Sequence, residues 1–213
     1  LITEHFEPID LASGAEATLN RLCTLFDWLL EQHQGAKAVW GVGIAVPGPV
    51  ETRPGEGRAP ATLPHIPNWA EYPVTDRLLA RYGADVWILS NVEAMTLGEM
   101  SVGSAVGVSD LVYLKLGKGL SAGIVCGGRL YRGAQGGAGQ IGHVLVDPSS
   151  TEICTCGKSG CLDMVAGGDA IAREGARAAR DGRSPALAEA LASQGEIDLS
   201  DVAFAAQQGD AFS

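Results

Sequence analysis

Residues 143–161 read HVLVDPSSTEICTCGKSGC, and this stretch does most to decide what kind of protein the chain is. It places His143 in one short segment with three cysteines, Cys154, Cys156 and Cys161. Three thiolates and one imidazole are the ligand set of a closed tetrahedral Zn²⁺ site. Four protein ligands leave no open position, so zinc here is predicted to be structural, stabilising a loop rather than activating water. The alternative is three buried free thiols beside an unrelated histidine.

Composition and charge exclude several functions. The chain has 213 residues, of which 46% are hydrophobic and 19% charged, as in globular proteins. Its net charge of −10 argues against direct binding of these residues to nucleic acid or to an anionic membrane. No apolar run reaches the roughly 18 residues that a membrane helix needs. Five cysteines are an odd number and a poor disulfide framework, so we predict a cytoplasmic protein. Cys23 and Cys126 lie in a predicted helix and a predicted strand, and we expect both to be inert core residues.

The order of predicted elements indicates an α/β class, because helices and strands alternate in the first half of the chain. A capping box at Ser13 and Glu16 predicts the start of a first helix, which Gly35 ends. The continuous apolar run 38–46 predicts a strand buried on both faces. Residues 52–73 are predicted to form a long loop anchored by Trp69, followed by a helix at 74–82, a strand at 85–89 and a helix at 93–104.

The pattern changes after residue 110. Short apolar runs separated by glycines predict three strands, with a hairpin turn at Gly127-Gly128. Alanine-rich segments then predict a run of helices to the end of the chain. A lobe boundary is placed near 105–110, where glycine and serine accumulate. The predicted strands are 111–116, 122–126 and 129–131, and the predicted helices are 164–180, 185–193 and 200–208.

Six segments of the chain carry motifs: GQIGH at 139–143, CTCGKSGCLD at 154–163, GIAVPGPV at 43–50, SNVEAMTLGE at 90–99, LGKGLSAG at 116–123 and GGRLYRG at 127–133. Together they resemble the signature motifs of the ROK family (repressors, open reading frames and sugar kinases). The resemblance implies an actin-like (ribonuclease H-like) two-lobed ATPase fold, in which sugar and ATP meet in the cleft between the lobes. It also implies a chain trimmed at both ends, with a partial first lobe at 1–108 and a partial second lobe with the zinc loop at 109–213.

The same resemblance identifies departures from a kinase. Asn91 stands where the family has its catalytic Asp, and a carboxamide holds a sugar hydroxyl but has no site at neutral pH that takes its proton. Losing such a base typically costs on the order of 10²–10⁴ in rate. Ser90 replaces a sugar-binding Asn, Gln140 and Asp163 replace two family Glu residues, and Lys118 replaces the Thr of the phosphate turn. Each change alone is also compatible with drift at a tolerant position.

The expected site residues follow from the resemblance. Effector contacts are expected from five residues, of which His143 would use one ring nitrogen for the metal and the other for a sugar hydroxyl. The resemblance implies nucleotide binding at the turn after the first strand of the second lobe. Lys118 in that turn would either bind phosphate as a point charge or simply be solvated. The effector residues are Ser90, Asn91, Gln140, His143 and Asp163, and the nucleotide-turn residues are Gly117, Lys118 and Gly119.

The function expected from these residues is the sugar-sensing body of a ROK-type transcriptional repressor without catalytic turnover. The alternative is an ATP- and Mg²⁺-dependent sugar kinase of the glucokinase or fructokinase type, so whether any enzyme activity remains is left open. A third hypothesis is an interaction scaffold. The implied partners are a small sugar, a second copy of the chain in a homodimer, and DNA through a winged helix-turn-helix module outside this chain. No membrane partner is expected, and which sugar binds is left open.

Overall fold

A computed structural model of the chain describes residues 3–33, 38–53, 57–60, 68–69 and 72–212. Backbone contacts divide it into two compact units. Unit 1 comprises residues 1–98 together with 132–137, and unit 2 comprises residues 99–131 together with 138–213. The boundary at 108/109 that the sequence suggests stays a prediction.

Unit 1 is built on a parallel pair of strands, as the alternating pattern predicts. β1 and β4 pair in parallel, with Gly41 opposite Asp85 and Val46 opposite Ser90. A separate antiparallel hairpin joins β2 and β3. The elements of this unit are α1 (Ala15–Glu31), β1 (Gly41–Val46), β2 (Val50–Arg53), β3 (Gly57–Pro60), α2 (Val74–Tyr82) and β4 (Asp85–Ser90), and α3 (Asn91–Val102) begins in it.

The core of unit 1 forms where the apolar sides of these elements meet. Trp69 is 4% exposed and belongs to this core, which confirms its predicted role as a loop anchor. Gly83 ends α2 in the left-handed conformation, as expected of a glycine at this position. The buried core residues are Ala15, Leu19, Val42, Val46, Val50, Trp69, Val74, Leu78 and Ile88.

Three sequence-based expectations for unit 1 are wrong. Ser13 does not cap α1: it lies in a short 3₁₀ turn and donates its hydroxyl to the carbonyl of Asp10, so Gly14 precedes the helix instead. The run 38–46 is not buried on both faces, because buried residues in β1 are separated by exposed ones. The predicted loop at 52–73 includes β3, part of a hairpin. The predicted helix end at Gly35 lies outside the described residues.

Unit 2 is a three-stranded antiparallel sheet followed by helices. The strand order is β5-β6-β7, and the turn between β6 and β7 is Gly127-Gly128, as predicted. The predicted helix at 164–180 is two helices, because Gly167 is extended and its N–H bonds to the carbonyl of Asp163. The elements are β5 (Leu111–Leu116), β6 (Leu120–Cys126), β7 (Arg129–Tyr131), α4 (Leu162–Ala166), α5 (Gly168–Arg180), α6 (Pro185–Gln194) and α7 (Leu199–Gln207).

The helices of unit 2 share a small apolar core made largely of residues from α5, α6 and α7. The buried members are Ala179, Leu187, Ile197, Val202 and Ala205. Cys126 is exposed at the end of β6, so its assignment to the core is wrong, whereas Cys23 is half-buried and packs against the core of unit 1. Among the described residues, no helix combines the length and the apolar character that crossing a membrane requires.

Candidate metal centre and the residues around it

The four residues predicted as metal ligands lie together. His143, at the end of a short 3₁₀ turn, meets the three cysteines of the following loop, and the ligand atoms all lie within 4.8 Å of one another. His143 Nδ1 is 3.5 Å from Cys154 Sγ, and Cys156 Sγ is 3.6 Å from Cys161 Sγ. Cys154 and Cys161 are buried, whereas Cys156 is exposed. The cluster is therefore arranged so that it could hold a metal ion.

These separations fit a tetrahedral site. Zn–S bonds of about 2.3 Å place two sulfurs of a tetrahedron about 3.8 Å apart, and a nitrogen ligand lies slightly closer to a sulfur. The two measured separations, 3.5 and 3.6 Å, are close to those values. Because Nδ1 is the ring nitrogen that faces the cluster, Nε2 of His143 remains for a different partner.

The backbone between the cysteines explains how ligands so close in sequence converge. Cys154 donates its N–H to the carbonyl of Lys158, and Gly157 donates to the carbonyl of Cys154, which folds the segment into a tight turn. Gly160 then accepts N–H groups from Val146 and Asp147 and so ties the loop back to the strand-like segment after His143. Cys161 ends the loop and immediately precedes α4.

The thiols differ in acidity when no cation is bound. The backbone N–H of Lys158 lowers the pKa of the Cys156 thiol, the largest influence on that group. Burial raises the pKa of the Cys161 thiol to about 12, because a thiolate away from water is poorly solvated. Cys161 is therefore expected to ionise only when a cation compensates its charge, which is what binding a metal would do.

Asp163 connects the metal centre to the glycine turn at 117–119. Its Oδ1 accepts the N–H of Leu120 at 2.6 Å, and its Oδ2 lies 3.9 Å from Nδ1 of His143. A side chain at Gly119 or at Gly142 would run into this carboxylate and would displace Asp163 from its present position. One carboxylate oxygen of this predicted effector contact is thus already bonded inside unit 2.

The predicted nucleotide turn is itself engaged. The carbonyls of Gly117 and Lys118 accept the N–H groups of Gly168 and Asp169 at the start of α5. The Lys118 residue is exposed. Gln140, another predicted effector contact, is half-buried just before the 3₁₀ turn that carries His143. Gly117, Lys118, Gly119, Gln140, His143 and Asp163 all belong to unit 2.

Ser90 and Asn91 belong to unit 1, at the point where β4 ends and α3 begins. Ser90 is 5% exposed, and its hydroxyl accepts the N–H of Glu93 at 3.3 Å. The Glu93 carboxylate in turn accepts the N–H of Ser90 at 2.9 Å, which completes a capping box. The Ser90 side chain therefore holds the start of α3, and Asn91 is the first residue of the helix so fixed.

Glu93 is a residue that the sequence reasoning missed. It is a buried carboxylate two residues from Asn91, and its Oε1 accepts Nε of Arg132 at 2.8 Å. The capping-box spacing of Ser90 and Glu93 was a signal that could have found its helix-capping role. Nothing in the sequence pattern pointed to Arg132, which is 39 positions away.

Replacing Arg132 with glutamine is expected to destabilise unit 1 by about 1–3 kcal/mol, because a mostly buried Glu93 carboxylate would lose its cation. This expected loss of stability is smaller than for a fully buried ion pair, because the Arg132 side chain is 36% exposed and so partly screened by solvent. Urea unfolding measures the change. The matched control is Arg129→Gln at an exposed position of β7, which should stay within about 0.5 kcal/mol. Equal effects of both variants would contradict the stabilising role of the pair.

Comparison with known proteins identifies the family to which the chain belongs. The family model for the ROK family matches residues 13–212, so the chain belongs to the ROK family. It is 32% identical over 201 residues to a glucokinase of Halalkalibacterium halodurans, covering 93% of this chain and 59% of the relative. It is 33% identical over 169 residues to a xylose repressor of Caldicellulosiruptor bescii, covering 78% of this chain and 41% of the relative.

Solved structures give the same two classes. The chain superposes with a TM-score of 0.75 and 29% identity on a ROK glucokinase from Streptomyces griseus in complex with glucose and AMPPNP, covering 93% of this chain and 62% of that one. It superposes with a TM-score of 0.74 and 29% identity on a ROK family transcriptional regulator, a homologue of the E. coli MLC protein, covering 91% and 47%. The predicted actin-like ATPase fold is thereby confirmed.

The comparisons do not separate kinase from regulator, because the two kinds of relative match almost equally well. The chain spans about 60% of the length of the glucokinases that it matches and a smaller share of the repressors.

Proposed function

We propose that this chain is the sugar-sensing effector domain of a ROK-type transcriptional repressor and that it does not phosphorylate the sugar it binds. The observation that carries this proposal is Asn91 at the position where the resemblance expects a catalytic carboxylate. A kinase of this family needs a base for the sugar hydroxyl that attacks the γ-phosphate, and a carboxamide does not accept that proton.

The surroundings of Asn91 support the proposal. The carboxylate nearest to it in sequence, Glu93, already accepts the N–H of Ser90 and the guanidinium of Arg132. The two carboxylate oxygens of Glu93 therefore hold the start of α3 and Arg132, and the proposal gives Glu93 no role as a substitute base. The start of α3 then offers hydroxyl-binding groups in place of acid–base chemistry.

The proposed effector contacts in unit 1 are Ser90 and Asn91, and those in unit 2 are Gln140, His143 and Asp163. Sugar recognition depends on amide, imidazole and carboxylate groups that exchange hydrogen bonds with hydroxyls. Nε2 of His143 and Oδ2 of Asp163 are the atoms of those residues best suited to this role, since Nδ1 faces the sulfur cluster and Oδ1 holds Leu120.

The metal we propose for the His143 cluster is structural zinc, held by His143, Cys154, Cys156 and Cys161. When bound, zinc would supply folding energy to the loop that carries His143 and would hold His143 for ligand contact. We also propose a homodimer, because a two-fold assembly suits the recognition of two operator half-sites. We further propose DNA contact through a module outside these residues and a cytoplasmic location.

A second candidate function, an ATP- and Mg²⁺-dependent hexose kinase, is favoured by the glucokinase relatives and by the solved neighbour that binds glucose and AMPPNP. In that case the turn at Gly117, Lys118 and Gly119 would contact nucleotide phosphate. The position of Asn91 argues against it, and so does Leu120, whose N–H is occupied by Asp163.

Calorimetry with a panel of pentoses, hexoses and amino sugars that includes D-glucose and D-xylose, paired with an ADP-release assay in ATP and Mg²⁺, separates the candidates in the full-length protein. We expect binding of at least one sugar and no ADP above the protein-free level. Gln140→Ala should weaken sugar binding about 3- to 10-fold, the loss of one neutral hydrogen bond. Gln207→Ala, at an exposed position at the end of α7, is the matched control and should bind normally.

Each other outcome has a definite meaning. Sugar-dependent ADP release would contradict the sensor without turnover and favour the kinase. Absence of binding heat with every sugar, from a protein that unfolds cooperatively, would contradict both and favour the interaction scaffold.

A further inference from the structure

The three thiols of the metal cluster are not equivalent. Cys154 and Cys161 are 3% and 1% exposed, whereas Cys156 is exposed. The Sγ atoms of Cys156 and Cys161 are 3.6 Å apart, so the accessible thiol lies directly beside a buried one. Of the three thiols, Cys156 is therefore the one that an oxidant in solvent can reach.

We propose that Cys156 and Cys161 form a peroxide-sensitive release pair: oxidation joins them in a disulfide and frees the metal that the cluster holds. The proposal rests on the metal site proposed above, and it is independent of whether the chain binds sugar or acts as a kinase. The oxidant is a hydroperoxide, with H₂O₂ as the probe.

The chemistry balances with one peroxide per chain. The Cys156 thiolate attacks one peroxide oxygen, the O–O bond breaks, and the departing hydroxide takes a proton to become water, leaving a sulfenic acid on Cys156. The Cys161 thiolate then attacks this sulfur, the S–O bond breaks, the S–S bond forms, and a second hydroxide is protonated to water. Two sulfurs lose one electron each, and the peroxide gains two.

Geometry selects this pair among the cysteines. A disulfide needs an S–S distance of about 2.05 Å, so the sulfurs of Cys156 and Cys161 must approach by roughly 1.5 Å. The turn that carries Cys156 has room for this movement, because Gly157 beside it faces open space and Lys158 is exposed. Cys154 is buried like Cys161, but its sulfur lies 3.5 Å from His143 Nδ1, whereas the sulfur of Cys161 lies 3.6 Å from that of Cys156.

The consequence extends beyond the loop. Cys161 is the residue before α4, and Asp163 in the first turn of that helix holds the N–H of Leu120. A disulfide would remove two of four ligands, and two remaining ligands do not make a closed tetrahedral site. Oxidation should therefore loosen the segment that joins the cluster to the turn at 117–119.

The test loads the full chain with zinc, confirms one equivalent bound, and then adds H₂O₂. A chromogenic chelator reports released zinc, and peptide mapping by mass spectrometry reports the fate of each thiol. We expect about one zinc released per chain together with a Cys156–Cys161 disulfide, both reversed by dithiothreitol and added zinc. Cys126→Ser, which removes an exposed thiol outside the cluster, is the matched control and should release zinc as the wild type does.

Cys156→Asp supplies a metal ligand that cannot form a disulfide, so zinc release by peroxide should be slower by on the order of tenfold or more. Retention of zinc by the oxidised wild type would overturn the proposal. So would zinc release with a disulfide elsewhere, or with sulfinic acid at Cys156 and no disulfide. The peptide map of the wild type decides the question even if Cys156→Asp binds no zinc.

Discussion

Replacing Cys161 with serine is expected to lower zinc affinity by more than about 100-fold. Mutating residues that only hydrogen-bond to metal ligands already lowers metal affinity by up to about 100-fold, and Cys161 would be a ligand itself. Cys161 is 1% exposed and immediately precedes α4. In the proposed site it would supply a thiolate, so its loss would remove a ligand. Competition with a chelator of known affinity measures the change. Hydrogen exchange of residues 143–163 should rise in the same variant.

The control for this change is Cys126→Ser, the same chemical substitution at an exposed position outside the cluster, which should leave zinc affinity unchanged. Zinc affinity of the wild type should also fall as pH is lowered, because protons compete with the metal for three thiolates and one imidazole. A Cys161→Ser chain that still binds one zinc as tightly as the wild type would show that the four residues are not the ligand set.

Gly160→Ala is expected to destabilise the zinc-loaded chain by about 2–5 kcal/mol. Gly160 has a φ of +71°, and an added Cβ would run into the carbonyl oxygen of Asp147 and lie 2.8 Å from Cδ1 of Leu145. The cost combines about 1–2 kcal/mol for the left-handed backbone with about 1–3 kcal/mol for overpacking. Thermal unfolding with zinc in excess measures it.

Gly157→Ala is the matched control, because Gly157 has a φ of +84° in the same loop but faces open space. Only the backbone term applies there, so a loss of about 1–2 kcal/mol is expected. Equal losses in the two variants would mean that the close approach of Gly160 to Asp147 contributes nothing to the loop.

Local sequence patterns gave most of the fold. The helix at Val74–Tyr82 and the strand at Leu111–Leu116 coincide with their predicted bounds, because periodic burial and a terminal glycine are encoded within a few residues. The same reasoning failed for the cap of α1. Asp10 draws Ser13 into a separate turn there, and the capping-box spacing does not reveal that competing interaction.

For the candidate site, too, part could be predicted from the sequence and part could not. The ligands His143, Cys154, Cys156 and Cys161 could be named from sequence, because only certain residue types bind metal and three of the four lie within eight positions. Which cysteine is exposed could not be named, because exposure depends on how the loop folds against residues after His143.

The sequence by itself therefore determined the family, the α/β architecture and the residues that make up the metal cluster. Only the tertiary structure decided the partners of the neighbouring charges: Arg132 for Glu93, 39 positions away, and the N–H of Leu120 for Asp163, 43 positions away. The physical reason is that backbone hydrogen bonding and burial repeat over short distances along the chain. A buried carboxylate, in contrast, is stabilised by whichever donor the folded chain brings within about 3 Å of it.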